Sequence, residues 1–424
     1  MTLEEGERFE VLVGEVAHGG HCVARLPADA SGPGIVIFVR HALPGEKVIA
    51  EVTEVHKGYA RAEAVEIIEA SPERREAPCR YAHAFGCGGC DLQHVTPAAQ
   101  LGWKTAVVRE QLSRLGGVPP RELEELDVRV VALPDVPGEA EGLGWRTRVR
   151  YSIDAADRAG LRKHRSHEVV AIDECLIAHP AIRALPVLDR LWPSGDDVHT
   201  VAPSGGPAMI MTDPSVRVTE HTLRRDFDIA AGGFWQVHPA AATTLAETVL
   251  DMLKPQPGET AWDLYGGAGL FAAVLGDAVG VTGHVTLVDS APDLIASARI
   301  NLGDLPVRVI DSTVERVLTP KRSSKKSRGG GGSAMPLRSG SALLGGPIDL
   351  VVLDPPRTGA GAAVVKAIVA AAPRAVAYVA CDPAALGRDV ATFREAGWRL
   401  VECRAYDCFP NTHHVECVAL LMPR

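Results

Sequence analysis

The sequence predicts an α/β protein: a doubly wound parallel-sheet domain towards the C-terminus, preceded by a small OB-like β-barrel and a central α+β domain. Three observations predict it. From Thr260 onward, apolar strand-like runs alternate with helical stretches, the pattern of a parallel sheet buried on both faces. The first of these runs ends in a glycine-rich turn, Asp263-Leu-Tyr-Gly-Gly-Ala-Gly. Before residue 70 the chain holds only short β-rich runs separated by turns.

The length of 424 residues suggests roughly two to four domains. Residues 46% hydrophobic and 23% charged describe a globular chain with enough apolar mass for several cores. A net charge of −9 excludes coating of nucleic acid through bulk electrostatics, so any RNA contact must come from local basic patches. The sequence holds no signal-peptide pattern and no run of 18 apolar residues, so the expectation is a soluble cytoplasmic protein with no membrane partner, taken as a monomer.

The first domain spans residues 1–69, with strand-like runs Phe9–Val13, Gly34–Val39, Glu46–Val52 and Ala60–Val65. Ser71-Pro-Glu-Arg-Arg-Glu-Ala-Pro is polar and bounded by proline, and reads as a linker. The central domain, residues 76–230, holds a helix from Pro97 to Leu115, with Val107, Val108, Leu112 and Leu115 at helical spacing, and strand signals at 146–153 and 168–172. Residues 231–424 form the α/β domain. Its strand runs lie at 260–265, 283–289, 307–311, 348–354 and 375–381, with a helix at 293–302, and two final runs form a hairpin. Residues 320–346, beginning Pro-Lys-Arg-Ser-Ser-Lys-Lys, are low in complexity and read as a flexible insertion between two strands.

Two groups of residues carry chemistry. The glycine turn between a first strand and a helix opens a cleft at the carboxyl ends of the strands, and Asp289, about 20 residues on, is placed to accept ribose hydroxyls. That spacing suits a dinucleotide as well as a nucleoside cofactor. The incomplete G-x-G-x-x-G and the rigid turn Asp354-Pro-Pro-Arg after the fourth strand argue against the dinucleotide. Asp311, ending the third strand, is a candidate to face an adenine. Cys381 ends the fifth strand at the same rim and precedes an Asp-Pro turn, so it is a candidate nucleophile rather than a core thiol. The nine cysteines include Cys79, Cys87, Cys90 and Cys175 in one zone, a ligand set for a [4Fe–4S] cluster or for zinc.

Taken together, Phe-Trp-Gln at 234–236, Asp-Leu-Tyr-Gly-Gly-Ala-Gly, Asp-Pro-Pro-Arg, Ala380-Cys-Asp-Pro and Phe409-Pro-Asn-Thr-His-His-Val-Glu resemble the RNA 5-methyluridine methyltransferases. The first domain resembles a TRAM barrel, and Cys87-Gly-Gly-Cys-Asp-Leu-Gln-His resembles that family's iron–sulfur site. The resemblance runs along nearly the whole chain. It implies a Rossmann-like class I methyltransferase domain that uses S-adenosyl-L-methionine, with Gln236 and Tyr265 on the cofactor, Asp289 on its ribose and Asp354 near its methionine end. Cys381 is then the nucleophile and Glu416 the base. The four cysteines hold a [4Fe–4S] cluster, zinc being the alternative. RNA is the partner, ribosomal RNA favoured over transfer RNA because of the barrel. Two departures stand out: Leu270, where some members carry a polar residue on the cofactor, and a Cys79 to Cys87 gap longer than in many members.

The implied reaction explains the residue types. Uracil carbon 5 is a weak nucleophile until a thiolate adds to carbon 6 and makes an enolate. After methylation, a base must remove the carbon 5 proton so that the thiolate can leave. The uridine must also be flipped out of its stack. Alternatives are methylation of another base, cytosine carbon 5 or adenine N6, and a non-catalytic RNA-binding factor.

Overall fold

The computed structural model describes residues 3–26, 34–193, 197–213, 215–319 and 346–424. All of the 320–346 insertion read from the sequence except Gly346 lies outside them.

Six strands make the N-terminal barrel: β1 (Arg8–Leu12), β2 (Val16–Ala17), β3 (His21–Leu26), β4 (Ile35–Arg40), β5 (Lys47–His56) and β6 (Tyr59–Glu69), in the order β1-β5-β6-β4-β3-β2. Alternate residues of these strands, among them Cys22, Ile37, Val39, Val48, Ala50 and Ala60, are fully buried and fill the interior. The sheet closes where Gly14 N–H donates to Val23 O at 2.7 Å and Val23 N–H donates to Glu15 O at 2.8 Å. A Cβ on Gly14 would stand 2.8 Å from Val23 O, so closure requires glycine there.

Helix α1 (Pro97–Arg114) starts with proline in its first turn, where no helical N–H is lost. It serves two cores. Trp103 and Val107, four residues apart, pack into the barrel, and Val108 and Leu112, also four apart, pack into the C-terminal domain. The buried Lys104 between them donates to Asp407 at 2.6 Å. After α2 (Pro120–Leu126), β7 (Val130–Ala132) joins the edge of the C-terminal sheet. Residues 97–132 lie inside the 76–230 span read from the sequence as the central domain, but their apolar faces are covered by the other two.

The central sheet has the order β10-β9-β8-β11-β12, built from β8 (Arg148–Ile153), β9 (Ala159–Arg162), β10 (Val169–Ala171), β11 (Val198–Val201) and β12 (Met209–Met211), with the short α3 (Pro180–Arg183) beside it. A separate hairpin follows, β13 (Arg217–Thr222) and β14 (Arg225–Ala230).

The C-terminal domain comprises α4 (Ala241–Leu253), β15 (Thr260–Leu264), α5 (Leu270–Val279), β16 (His284–Asp289), α6 (Pro292–Asn301), β17 (Val307–Asp311), α7 (Val314–Leu318), β18 (Leu350–Leu353), α8 (Gly361–Ala371), β19 (Ala375–Ala380), α9 (Pro383–Glu395), β20 (Trp398–Asp407) and β21 (Glu416–Pro423). Its sheet runs β17-β16-β15-β18-β19-β21-β20-β7, parallel except for β21, which is antiparallel to both neighbours. The strand order reverses between β15 and β18, so the crevice at their carboxyl ends is where a ligand site is expected. Two apolar cores, one on each face, cover the sheet. Among the described residues no helix is long and apolar enough to cross a membrane.

A buried ionic junction joins the parts. Arg40 of β4 donates to Glu63 of β6 and to Asp91, both at 2.8 Å. The other oxygen of Asp91 receives His413 Nδ1–H at 2.6 Å, and Asp91 N–H donates to Asn411 O at 3.0 Å. Burial opposes the charge on Asp91, but the His413 and Arg40 bonds outweigh it and hold the carboxyl well below the usual range. Asp91→Ala leaves Arg40 buried with one partner, which is expected to cost about 3–5 kcal/mol. Urea unfolding and limited proteolysis after Glu69 read the loss; an unchanged midpoint contradicts the junction.

Candidate functional site

At the carboxyl ends of β15, β16, β18 and β19 lies a cavity of about 500 Å³, lined by Phe234, Gln236, Tyr265, Gly267, Asp289, Asp354, Arg357, Cys381, His414 and Glu416 among others. Its floor is the glycine turn. Tyr265, Gly267 and Gly269 have φ of 61°, 54° and 97°, and this left-handed backbone is relaxed at the glycines and strained at Tyr265. Gly269 also sits under Leu302, whose Cδ1 would be 2.8 Å from an added Cβ. Asp263 is fully buried and anchors the turn by accepting Ala272 N–H at 2.7 Å. Its other oxygen has no partner, and burial pushes the carboxyl up to about 8.

Asp289 is locked from below: one oxygen accepts Gly267 N–H at 2.9 Å, and the other accepts Ser290 and Ala291 N–H at 2.7 and 2.8 Å. The Tyr265 hydroxyl donates to Glu315 at 2.8 Å. Gln236 is buried in the cavity wall. Asp311 is level with Asp289 in the sheet register but exposed, and is not among the lining residues. Leu270, the apolar departure, is buried in the core beneath the turn.

Strand pairing brings Cys381 and Glu416 together. Ala380 of β19 pairs with Cys417 of β21, so the antiparallel register places Cys381 opposite Glu416. Burial pushes the Cys381 thiol up to about 12, reinforced by the charges of Glu416 and Asp354 and opposed by the Arg357 guanidinium. Burial raises Asp354 to about 7, and burial together with Asp354 raises Glu416 well above the carboxylate range. Three groups that resist ionisation thus share one cavity with a single guanidinium.

On the other side of Cys381 a second cavity, of about 310 Å³, is lined by His18, Arg61, His164, Arg165, Arg357 and His413, among others. Sequence reading missed this basic surface because its residues come from the barrel, the β9–β10 turn and the C-terminal domain. Arg357 is the exception: it lies inside the Asp-Pro-Pro-Arg motif, and that turn was the signal for it.

Cys79, Cys87, Cys90 and Cys175 line one narrow cavity in the central domain. All are free thiols. Gly88 lets the loop press on the β9–β10 turn, where an added Cβ would meet His164 N at 2.4 Å. Burial raises Cys87 to about 11 and pushes Cys90 and Cys175 upward as well, so these thiols ionise readily only against a compensating cation. Among the described residues no three His, Cys, Asp or Glu side chains converge tightly enough to hold a metal ion.

The TRAM domain profile matches residues 2–65, and the tRNA (Uracil-5-)-methyltransferase profile matches residues 341–424. An uncharacterized RNA methyltransferase of Streptomyces avermitilis is 42% identical over 454 residues, aligned along 99% of each chain. This chain belongs to that family of RNA methyltransferases. A second relative, from Streptomyces coelicolor, is 41% identical across 99% of this chain and 93% of its own. The crystal structure of Pyrococcus abyssi tRNA (uracil-54, C5)-methyltransferase with S-adenosyl-L-homocysteine is 22% identical, covers 98% of this chain and 100% of its own, and superimposes with a TM-score of 0.66. That likeness shows the fold: a class I methyltransferase domain behind an N-terminal TRAM domain.

For this RNA methyltransferase the buried Glu416 is a cost to stability. Its folded pKa lies above its unfolded value, so the fold loses stability as pH rises from the unfolded pKa towards the folded one. Glu416→Gln keeps the shape and removes the penalty. At pH 8 the melting temperature is expected to rise by a few degrees while methyl transfer to RNA falls at least about 100-fold. Scanning calorimetry and a radiolabel assay read both; a destabilised variant contradicts the burial argument.

Proposed function

We propose that the chain methylates carbon 5 of a uridine in RNA, with S-adenosyl-L-methionine as donor, Cys381 as nucleophile and Glu416 as base. The observation that carries the reading is the single cavity that gathers Gln236, Tyr265, Asp289, Asp354, Cys381 and Glu416. The cofactor lies along the glycine turn, its ribose on Asp289 and its methionine end near Asp354. The exposed Asp311 stays a candidate for the adenine through its place beside Asp289. The likeness to a tRNA uracil-C5 enzyme supports the base.

In this reading the Cys381 thiol first releases its proton to water, the thiolate adds to uracil carbon 6, and the electron pair moves to a carbon 4–carbon 5 enolate. Carbon 5 takes the methyl from the sulfonium and S-adenosylhomocysteine leaves. Ionised Glu416 accepts the carbon 5 proton, and the carbon 6–sulfur bond breaks to return the thiolate. The donor prepares these groups. A sulfonium placed beside Asp354 and Glu416 favours their ionised forms, and Arg357 opposes the charges that keep Cys381 protonated. Donor affinity is therefore expected to rise with pH up to about 7, by up to tenfold per unit, and to level off above it, because Asp354, raised by burial to about 7, holds the cation better once ionised. Titration calorimetry is expected to show this slope for S-adenosylmethionine and a flatter one for S-adenosylhomocysteine, which lacks the sulfonium. Equal slopes contradict the role given to Asp354.

We assign the four cysteines to a [4Fe–4S] cluster rather than zinc. The likeness of Cys87-Gly-Gly-Cys-Asp-Leu-Gln-His to the iron–sulfur site of the RNA 5-methyluridine methyltransferases and the one narrow cavity that the four thiols line support the cluster. When bound it would supply the cations that these buried thiols need. We give it a structural role, since the Cys90 loop continues directly into Asp91.

The barrel was the ground for favouring ribosomal RNA. The Pyrococcus protein, named as a tRNA enzyme, matches this chain along its full length, so the barrel does not discriminate. RNA carrying 5-fluorouridine tests the reaction and the RNA class together, because fluorine cannot leave as the proton does. With S-adenosylmethionine present, a methylated adduct on a Cys381 peptide is expected with ribosomal or transfer RNA. Methyl transfer to ordinary RNA without any adduct overturns the uracil mechanism.

A further inference from the structure

We propose that His18, on the barrel turn between β2 and β3, is a positioning residue for the nucleophile, acting through Asp382. The proposal rests on the reading of Cys381 as nucleophile. His18 Nε2 lies 2.9 Å from Asp382 Oδ2. A carboxylate can only accept, so the imidazole donates. Asp382 follows Cys381 directly and caps α9, its Oδ1 accepting Ala385 N–H at 2.7 Å. Its two oxygens are thus divided: one fixes the turn that carries the nucleophile to the helix, the other fixes it to the barrel. Burial works against the Asp382 charge, but the hydrogen bonds from His18 and Ala385 N–H outweigh it and hold the carboxyl below its usual range.

The barrel turn also meets the second catalytic loop. Gly20, at φ 77°, packs so closely that an added Cβ would lie 3.1 Å from Asp91 Cβ and 3.2 Å from His413 Cβ. His18 and Gly19 then form part of the second cavity beside Cys381. One glycine-flanked turn therefore contacts both the Asp-Pro turn after Cys381 and the loop that leads to Glu416. The cost of failure is electrostatic as well as geometric. Asp382 is one of the charges that keep the Cys381 thiol protonated, and a donor on its outer oxygen draws that charge away from the sulfur. The barrel thereby serves the chemistry, in addition to any contact it makes with RNA.

The test is a double-mutant cycle read on the thiol itself, with no RNA present. Full-length protein is treated with iodoacetamide, and alkylation of the Cys381 peptide is followed by mass spectrometry. His18→Ala is expected to slow alkylation about threefold to tenfold, since a tenfold change corresponds to one pKa unit. In an Asp382→Asn background the same substitution is expected to change nothing, and His18→Gln, which keeps a donor near Nε2, restores most of the rate. An effect of equal size in both backgrounds means only altered access, and overturns the proposal, as does no effect at all. Steady-state assays with RNA add a second reading. His18→Ala is expected to lower kcat with the RNA KM within about twofold of wild type, whereas a raised KM at unchanged kcat makes His18 an RNA contact and overturns the positioning role. Because alkylation needs no substrate, an error in the uridine assignment leaves that arm intact.

Discussion

Asp91 carries a negative charge where the barrel, the cysteine loop and the loop before β21 meet, and its burial is tolerable only while Arg40 and His413 both hold it. The requirement is mutual. Arg40 spans Glu63 and Asp91, and His413 is drawn away from solvent by the same carboxylate. The barrel cannot shift on the C-terminal domain without stranding one of these charges, so the short turn at His18–Gly20 is held against Asp382 and His413. Helix α1 adds an apolar clamp, giving Trp103 to one core and Leu112 to the other.

Within that frame the active cavity is built to be electrostatically uncomfortable. Cys381, Asp354 and Glu416 each resist ionisation for want of water; the charge of Asp354 makes Glu416 harder to ionise, and both carboxylates do the same to Cys381. In the proposed reaction, a cationic donor bound beside these carboxylates would favour their ionised forms. An enzyme that kept a free thiolate and two carboxylates in one cavity before the donor arrived would need far more compensating charge than Arg357 supplies. Asp289, by contrast, is held in advance by three backbone N–H groups, which leaves its carboxylate room to accept one further hydrogen bond.

Much of this was legible in the sequence where local pattern and function coincide. The alternating runs after Thr260 mark the sheet because parallel strands buried on both faces must be apolar throughout. The Gly-rich turn, Asp-Pro-Pro-Arg and the Cys-Asp-Pro turn sit at strand ends, where the topology makes them neighbours. What could not be read depends on packing between distant segments. The 97–132 stretch has ordinary helical periodicity, and nothing in it says that one side belongs to the barrel and the other to the C-terminal domain. The strand His21–Leu26 follows a Gly-Gly turn, and with His21 and Arg25 among its residues it lacks the apolar run that marks Ile35–Arg40. His18, Arg61 and His164 come to line a cavity with Cys381 only through tertiary structure.

The central claim is that the methyl group replaces the proton on carbon 5 of a uridine through a Cys381 adduct. RNA carrying tritium at uridine carbon 5, incubated with S-adenosylmethionine labelled with carbon-14 in its methyl group, measures this directly. One tritium released to water for each methyl incorporated, with both processes abolished in Cys381→Ala, is the predicted result. Methyl incorporation with the tritium retained would place the methyl on another atom and contradict the account.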